Sequence, residues 1–154
     1  MAKFFPVGSP TSDKSDIPSS SSGLPKETLE PILRAIYEEV AEIREVYSSL
    51  EIRMIGGSLL IVYEADWTRA EQSLTAFNEE DDEDDEDMDL DMEDDSDDED
   101  ESNSKRPGPP FVAKLIDFAH TRLAPGEGPD QGVLLGMDTV LKLLDARLTE
   151  ISAS

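Results

Sequence analysis

Residues 79–101 place 19 acidic side chains in 23 positions, interrupted only by Met88, Leu90, Met92 and Ser96. No other feature limits the fold as strongly. Neighbouring carboxylates repel one another, and three apolar side chains cannot bury enough surface to offset the entropy of ordering the segment. Residues 79–101 are therefore expected to be a disordered acidic insert, and residues 102–110, with their Pro and Gly breakers, to extend it as a linker. A packed unit has to be built from the flanks, residues 1–78 and 111–152.

The flanks differ sharply from the insert in charge. Outside it, 18 acidic residues face 13 basic ones, a balance of −5, so the net charge of −24 belongs to one segment. The basic residues are few and scattered, which argues against direct nucleic-acid binding by the folded part. With no cysteine among 154 residues there is neither a disulfide framework nor a thiolate zinc site. No apolar run approaches the ~20 residues that span a bilayer. The start, Met1-Ala2-Lys3-Phe4-Phe5-Pro6, lacks the apolar stretch of a signal peptide. The expectation is an intracellular, soluble, monomeric protein of the nucleus or cytoplasm.

Residues 8–23, rich in Ser, Pro and Asp, read as a flexible loop, and the preceding Phe4 and Phe5 as aromatics that dock on a core. Over residues 25–50 the apolar positions Leu29, Ile32, Leu33, Ile36, Val40, Ile43 and Tyr47 recur every three or four residues, which predicts an amphipathic helix behind Pro25. That stripe suits packing on its own domain or binding a partner. Residues 51–65 predict a β-hairpin turning at Gly56-Gly57. Its second strand, Leu59-Leu60-Ile61-Val62-Tyr63, is apolar throughout, as in a strand buried on both faces. Residues 67–77 suit a short helix or a loop. A strand follows over residues 111–117. Residues 130–151 predict a second amphipathic helix, with Asp130 as its N-cap and Gly132 and Gly136 spaced for close packing on the strands. Two helices and three strands make a small α+β unit.

Chemistry concentrates in Lys114-Leu115-Ile116-Asp117-Phe118-Ala119-His120-Thr121. A short apolar strand delivers a carboxylate to its end, and the chain's one histidine follows three residues later. An aspartate there serves as a turn or capping residue, or as a ligand for Mg²⁺, which takes one or two carboxylates together with substrate phosphates. Histidine changes charge near neutral pH, so His120 suits either donation to a phosphate or a plain backbone hydrogen bond. No zinc cluster, dinucleotide fingerprint or nucleophile elbow accompanies them.

Two further motifs flank this one. Ser58-Leu59-Leu60 leads to Tyr63-Glu64, and Gly128-Pro129-Asp130 leads through Gly132 to Gly136. In this order the three motifs resemble the C-terminal part of the inositol polyphosphate kinase family, nearest its fungal multikinase branch. The resemblance runs from about Phe4 to Leu148, apart from the insert. It implies the back half of the C-terminal lobe of a two-lobed fold akin to protein kinases and ATP-grasp enzymes. It also implies ATP-dependent phosphoryl transfer to a hydroxyl of an inositol polyphosphate, with Mg²⁺ and ATP. By resemblance Asp117 is the metal-binding aspartate, His120 lies near the inositol phosphate and the transferred group, and Ser58, Leu59 and Leu60 line the nucleotide site. For Leu59 and Leu60, core packing is the alternative. The family's Pro-x-x-x-Asp-x-Lys-x-Gly motif is absent, as are a Gly-rich phosphate loop and a strand bearing a phosphate-clamping lysine. The chain is thus expected to be part of a longer kinase and to be inactive alone.

A different reading attaches to residues 79–101. A run this acidic mimics a nucleic-acid backbone and could engage basic nuclear proteins, or serve as an inert solvated loop. Ser96, followed by Asp97-Asp98-Glu99, resembles an acidophilic kinase target that would deepen the charge.

Overall fold

The computed structural model describes residues 1–8, 23–80 and 107–153. Residues 9–22 of the expected flexible loop and most of the acidic insert and linker lie outside these residues. Three helices and four strands follow in the order α1 (Lys26–Ser48), β1 (Ile52–Met54), β2 (Ser58–Tyr63), α2 (Trp67–Glu80), β3 (Phe111–Ile116), β4 (Thr121–Leu123) and α3 (Gln131–Ser152). This is an α+β fold, as expected, with one more helix and one more strand.

The apolar stripe of α1 is the centre of the core. Leu29, Ile32, Leu33, Ile36 and Val40 are completely buried against Leu144, Leu148 and Ile151 of α3 and Ala70 of α2. The helix has no side-chain cap; the Pro25 carbonyl receives the Thr28 and Leu29 amides instead. Pro31 interrupts the early turns, which removes one backbone donor. An Arg44 Nε to Asp138 Oδ1 bond of 2.8 Å ties α1 to α3 on the solvent side. That pair holds the Asp138 carboxyl below its ordinary value of 3.8, chiefly through the hydrogen bond to Arg44.

The strands form two separate antiparallel ladders, β1 with β4 and β2 with β3. The expected 51–65 hairpin does not form. A tight type I′ turn at Gly56-Gly57 needs positive φ at both glycines, and only Gly56 has it, at 76°. The chain therefore steps from one ladder to the other, with Gly57 packed against the Met54 side chain. Nor is β2 buried on both faces. The core packs on one face of the ladder only: Leu59, Ile61 and Tyr63 turn inward, while Ser58, Leu60 and Val62 face out.

Phe5 docks as expected, 5.2 Å from the Tyr63 ring, whereas Phe4 is exposed and contributes only its carbonyl, which accepts from the Tyr63 hydroxyl at 2.9 Å. Arg147 secures this segment. Its guanidinium is buried and donates to the Phe5 carbonyl from Nε at 3.1 Å and Nη2 at 2.7 Å, with Nη1 on Glu150 at 2.7 Å.

Candidate functional site

Register places the first motif beside the second. Ser58 pairs with Ile116 at the end of the β2–β3 ladder, and Asp117 is the first residue past β3. The two sequence-predicted residues thus share one end of one ladder, as the pairing of an apolar strand with its neighbour requires. Leu59 and Leu60 point to opposite faces. Leu59 packs toward the core, and Leu60 joins Val62 and Ile116 on the outer face.

Asp117 leaves the strand in the left-handed region, at φ 67°, the one described non-glycine residue with positive φ. Aspartate tolerates this conformation better than most residues because its short polar side chain bonds locally. The consequence is an abrupt end to the ladder, with Asp117, Phe118, Ala119 and His120 all exposed in the turn that leads to β4. Two backbone bonds hold the turn: Thr121 N donates to the Phe118 carbonyl at 3.0 Å, and Ile55 N to the His120 carbonyl at 3.3 Å.

Behind it lies an open groove of about 620 Å³ between the Gly56–Ser58 turn, β3 and the first half of α3. Ser58, Leu59, Leu115, Asp130, Gly132 and Gly136 line it, whereas Asp117 and His120 do not. The expected close packing of Gly132 and Gly136 on the strands is not found. Gly136 has no neighbour within 4 Å of where a Cβ would stand, so the glycines keep the groove open.

Asp130 is the N-cap of α3, as its position before the apolar period indicated. Its Oδ1 accepts from Gly132 N at 3.0 Å and Val133 N at 3.4 Å, and its Oδ2 from Met54 N at 3.3 Å. Beneath it the buried Tyr47 hydroxyl has no hydrogen-bond partner among the described residues, and burial, then the Asp130 charge, push its pKa up.

The loop before α3 is gripped by side chains that sequence reasoning passed over. Glu51 accepts from Gly126 N at 2.9 Å and Gly128 N at 3.3 Å, and Arg53 donates to the carbonyls of Glu127 and Gly128 at 2.9 and 2.8 Å.

No group of three or more His, Cys, Asp or Glu among the described residues could cage a metal ion. A single carboxylate at a strand end still fits a cation that takes its other ligands from phosphates, as Mg²⁺ does. Among the described residues no helix is long and apolar enough to cross a membrane.

Residues 19–145 match the family model described as inositol polyphosphate kinase. The chain belongs to the inositol polyphosphate kinase family. No curated protein matches it at a significant level. Among solved structures this inositol polyphosphate kinase family chain is similar to the inositol phosphate multikinase of S. cerevisiae, solved in complex with ADP and Mn²⁺. The TM-score is 0.52 at 23% identity, over 79% of this chain and 39% of the yeast one. The likeness confirms the fold, and the chain spans about two fifths of the yeast protein's length.

Proposed function

We propose that this chain forms the metal-binding and nucleotide-facing part of an ATP-dependent inositol polyphosphate kinase, of the multikinase branch. The register that sets Ser58 beside Ile116, with Asp117 next in line, carries this reading. The family match and the ADP and Mn²⁺ of the similar yeast structure support it. Asp117 would hold the divalent ion, whose positive charge offsets the charge of the transferring phosphoryl when bound. The exposed His120 imidazole donates to the acceptor or the transferred group. Ser58 offers a hydroxyl and Leu60 an apolar surface to the nucleotide, while Leu59 supports them from the core side.

The test is ATP-dependent phosphorylation of an inositol polyphosphate by the longest natural product containing these residues. Asp117→Asn is expected to lower kcat by orders of magnitude and leave the fold intact, because the cation loses its charged ligand. Near wild-type activity in that variant refutes the assignment. The 154-residue chain alone, without the Pro-x-x-x-Asp-x-Lys-x-Gly motif, is expected to show no turnover.

A second role rests on the charge of residues 79–101: a binding segment for basic nuclear proteins, independent of phosphoryl transfer. Deleting residues 79–101 should abolish pull-down of histones at low salt. Unchanged capture excludes it.

A further inference from the structure

Asp130 does more than a cap needs. A helix N-cap uses one side-chain oxygen, and Oδ1 fills that role on Gly132 N and Val133 N. The second oxygen reaches back 76 positions to the Met54 amide, in the last residue of β1. Met54 is paired with Thr121, the first residue of β4, and the next residue, Ile55, holds the His120 carbonyl. The start of α3 is thereby joined through β1 to the backbone of the turn that carries Asp117 and His120.

Within itself this turn has one backbone bond, Thr121 N to the Phe118 carbonyl at 3.0 Å. Its four residues are exposed, so side-chain packing does not place them, and Asp117 begins it in the left-handed region, which aspartate tolerates but which costs most side chains energy. Glu51 and Arg53 add to the restraint by gripping residues 126–128, which sets the distance between Asp130 and β1. β1 itself is only three residues long, and without its anchors it would fray.

We infer that Asp130 is a positioning residue for phosphoryl transfer, fixing the Asp117–His120 turn through the Met54 amide and β1. The inference rests on the function proposed above. It also predicts why an aspartate is better here than the other good caps. Asparagine has one carbonyl oxygen and so can accept on only one side. Serine caps the helix but is too short to reach β1.

Asp130→Asn and Asp130→Ser separate the two roles, because both retain a favourable N-cap for α3. In the longest natural form of the kinase, with Mg²⁺ saturating, each variant should lose about tenfold in kcat, within the ~10²-fold that a ~1 Å misplacement costs. KM for ATP should stay within about twofold, since Ser58 and Leu60, the residues proposed to face the nucleotide, are not substituted. Amide exchange at Ile55 and Thr121 should quicken, while exchange in the body of α3 stays as in the wild type. An unchanged kcat would overturn the inference, even with faster exchange at Met54. So would a loss of kcat that simply follows a fall in the folded fraction. Absence of phosphoryl transfer in the wild type would overturn the proposed function instead. In that case exchange at Ile55 and Thr121 still decides whether Asp130 restrains the turn.

Discussion

Arg147→Met tests how the amino-terminal segment is held. The methionine keeps most of the apolar stem that packs in the α3 interface and removes the charge altogether, so no unpaired cation is left buried. What is lost are two donors to one carbonyl, at 3.1 and 2.7 Å, in a site where the arginine is 7% exposed. Hydrogen bonds to a charged group contribute about 1.5–3 kcal/mol net, and an orphaned buried carbonyl costs about 1–3 kcal/mol. These overlap, because the two bonds share an acceptor. The Glu150 pair adds little, since that carboxylate is largely exposed. A loss of about 2–3 kcal/mol follows, with Phe5 freed from Tyr63 as its structural sign. Urea unfolding followed by Trp67, the chain's one tryptophan, should show the midpoint fall by about 1–2 M. Arg147→Lys should recover less than half, because an ammonium cannot present the fork. A midpoint within experimental error of wild type for Arg147→Met would refute the reasoning.

Leu33→Ala removes a completely buried side chain from the α1–α3 interface and should cost about 2–5 kcal/mol in the same unfolding assay. Asp138 has its carboxyl held down by Arg44, so its contribution is present above the ordinary value of 3.8 and is lost as pH falls through the lower folded value. Melting temperature followed from neutrality down into that acid range should therefore drop less steeply for Asp138→Asn than for wild type. Asp117→Ala should destabilise by about 1–2 kcal/mol through its left-handed backbone, whereas Asp117→Asn should be near neutral, which thermal melts of the pair will decide.

Helices were legible because their signal is local and repeated. Leu29, Ile32, Leu33, Ile36 and Val40 announce one buried face, and all five are completely buried. Asp130 was legible for the same reason, standing just before an apolar period. The start of α2 carried a comparable mark, Asp66, whose carboxylate accepts from Arg69 N at 3.0 Å, but the apolar pattern beyond it is weak. Three of the four strands were found, yet their partners were not. Gly56-Gly57 signals a change of direction, and nothing in the two residues says whether the chain returns along its own path or crosses to another ladder. That choice was made by β4, whose Thr-Arg-Leu has too little pattern to be seen. For the site, three motifs in order pointed to Ser58 and Asp117, which the ladder does bring to one end. The bonds of Glu51, Arg53 and Asp130's second oxygen depend on the fold being closed, so no spacing could reveal them.

The ladders have a further consequence, in the order of synthesis. Neither joins strands that are close in the chain: Tyr63 waits for Phe111, and Ile52 for Leu123. At about 5–20 residues per second, roughly 2–10 s pass on the ribosome between β2 and its partner. During that time β1 and β2 present unpaired amides and carbonyls, and the inner face of Leu59, Ile61 and Tyr63 has no opposite strand. No local hairpin can form as a temporary shelter. Within this region the sheets therefore close only once residues 111–123 have been made, well after α1, β1 and β2.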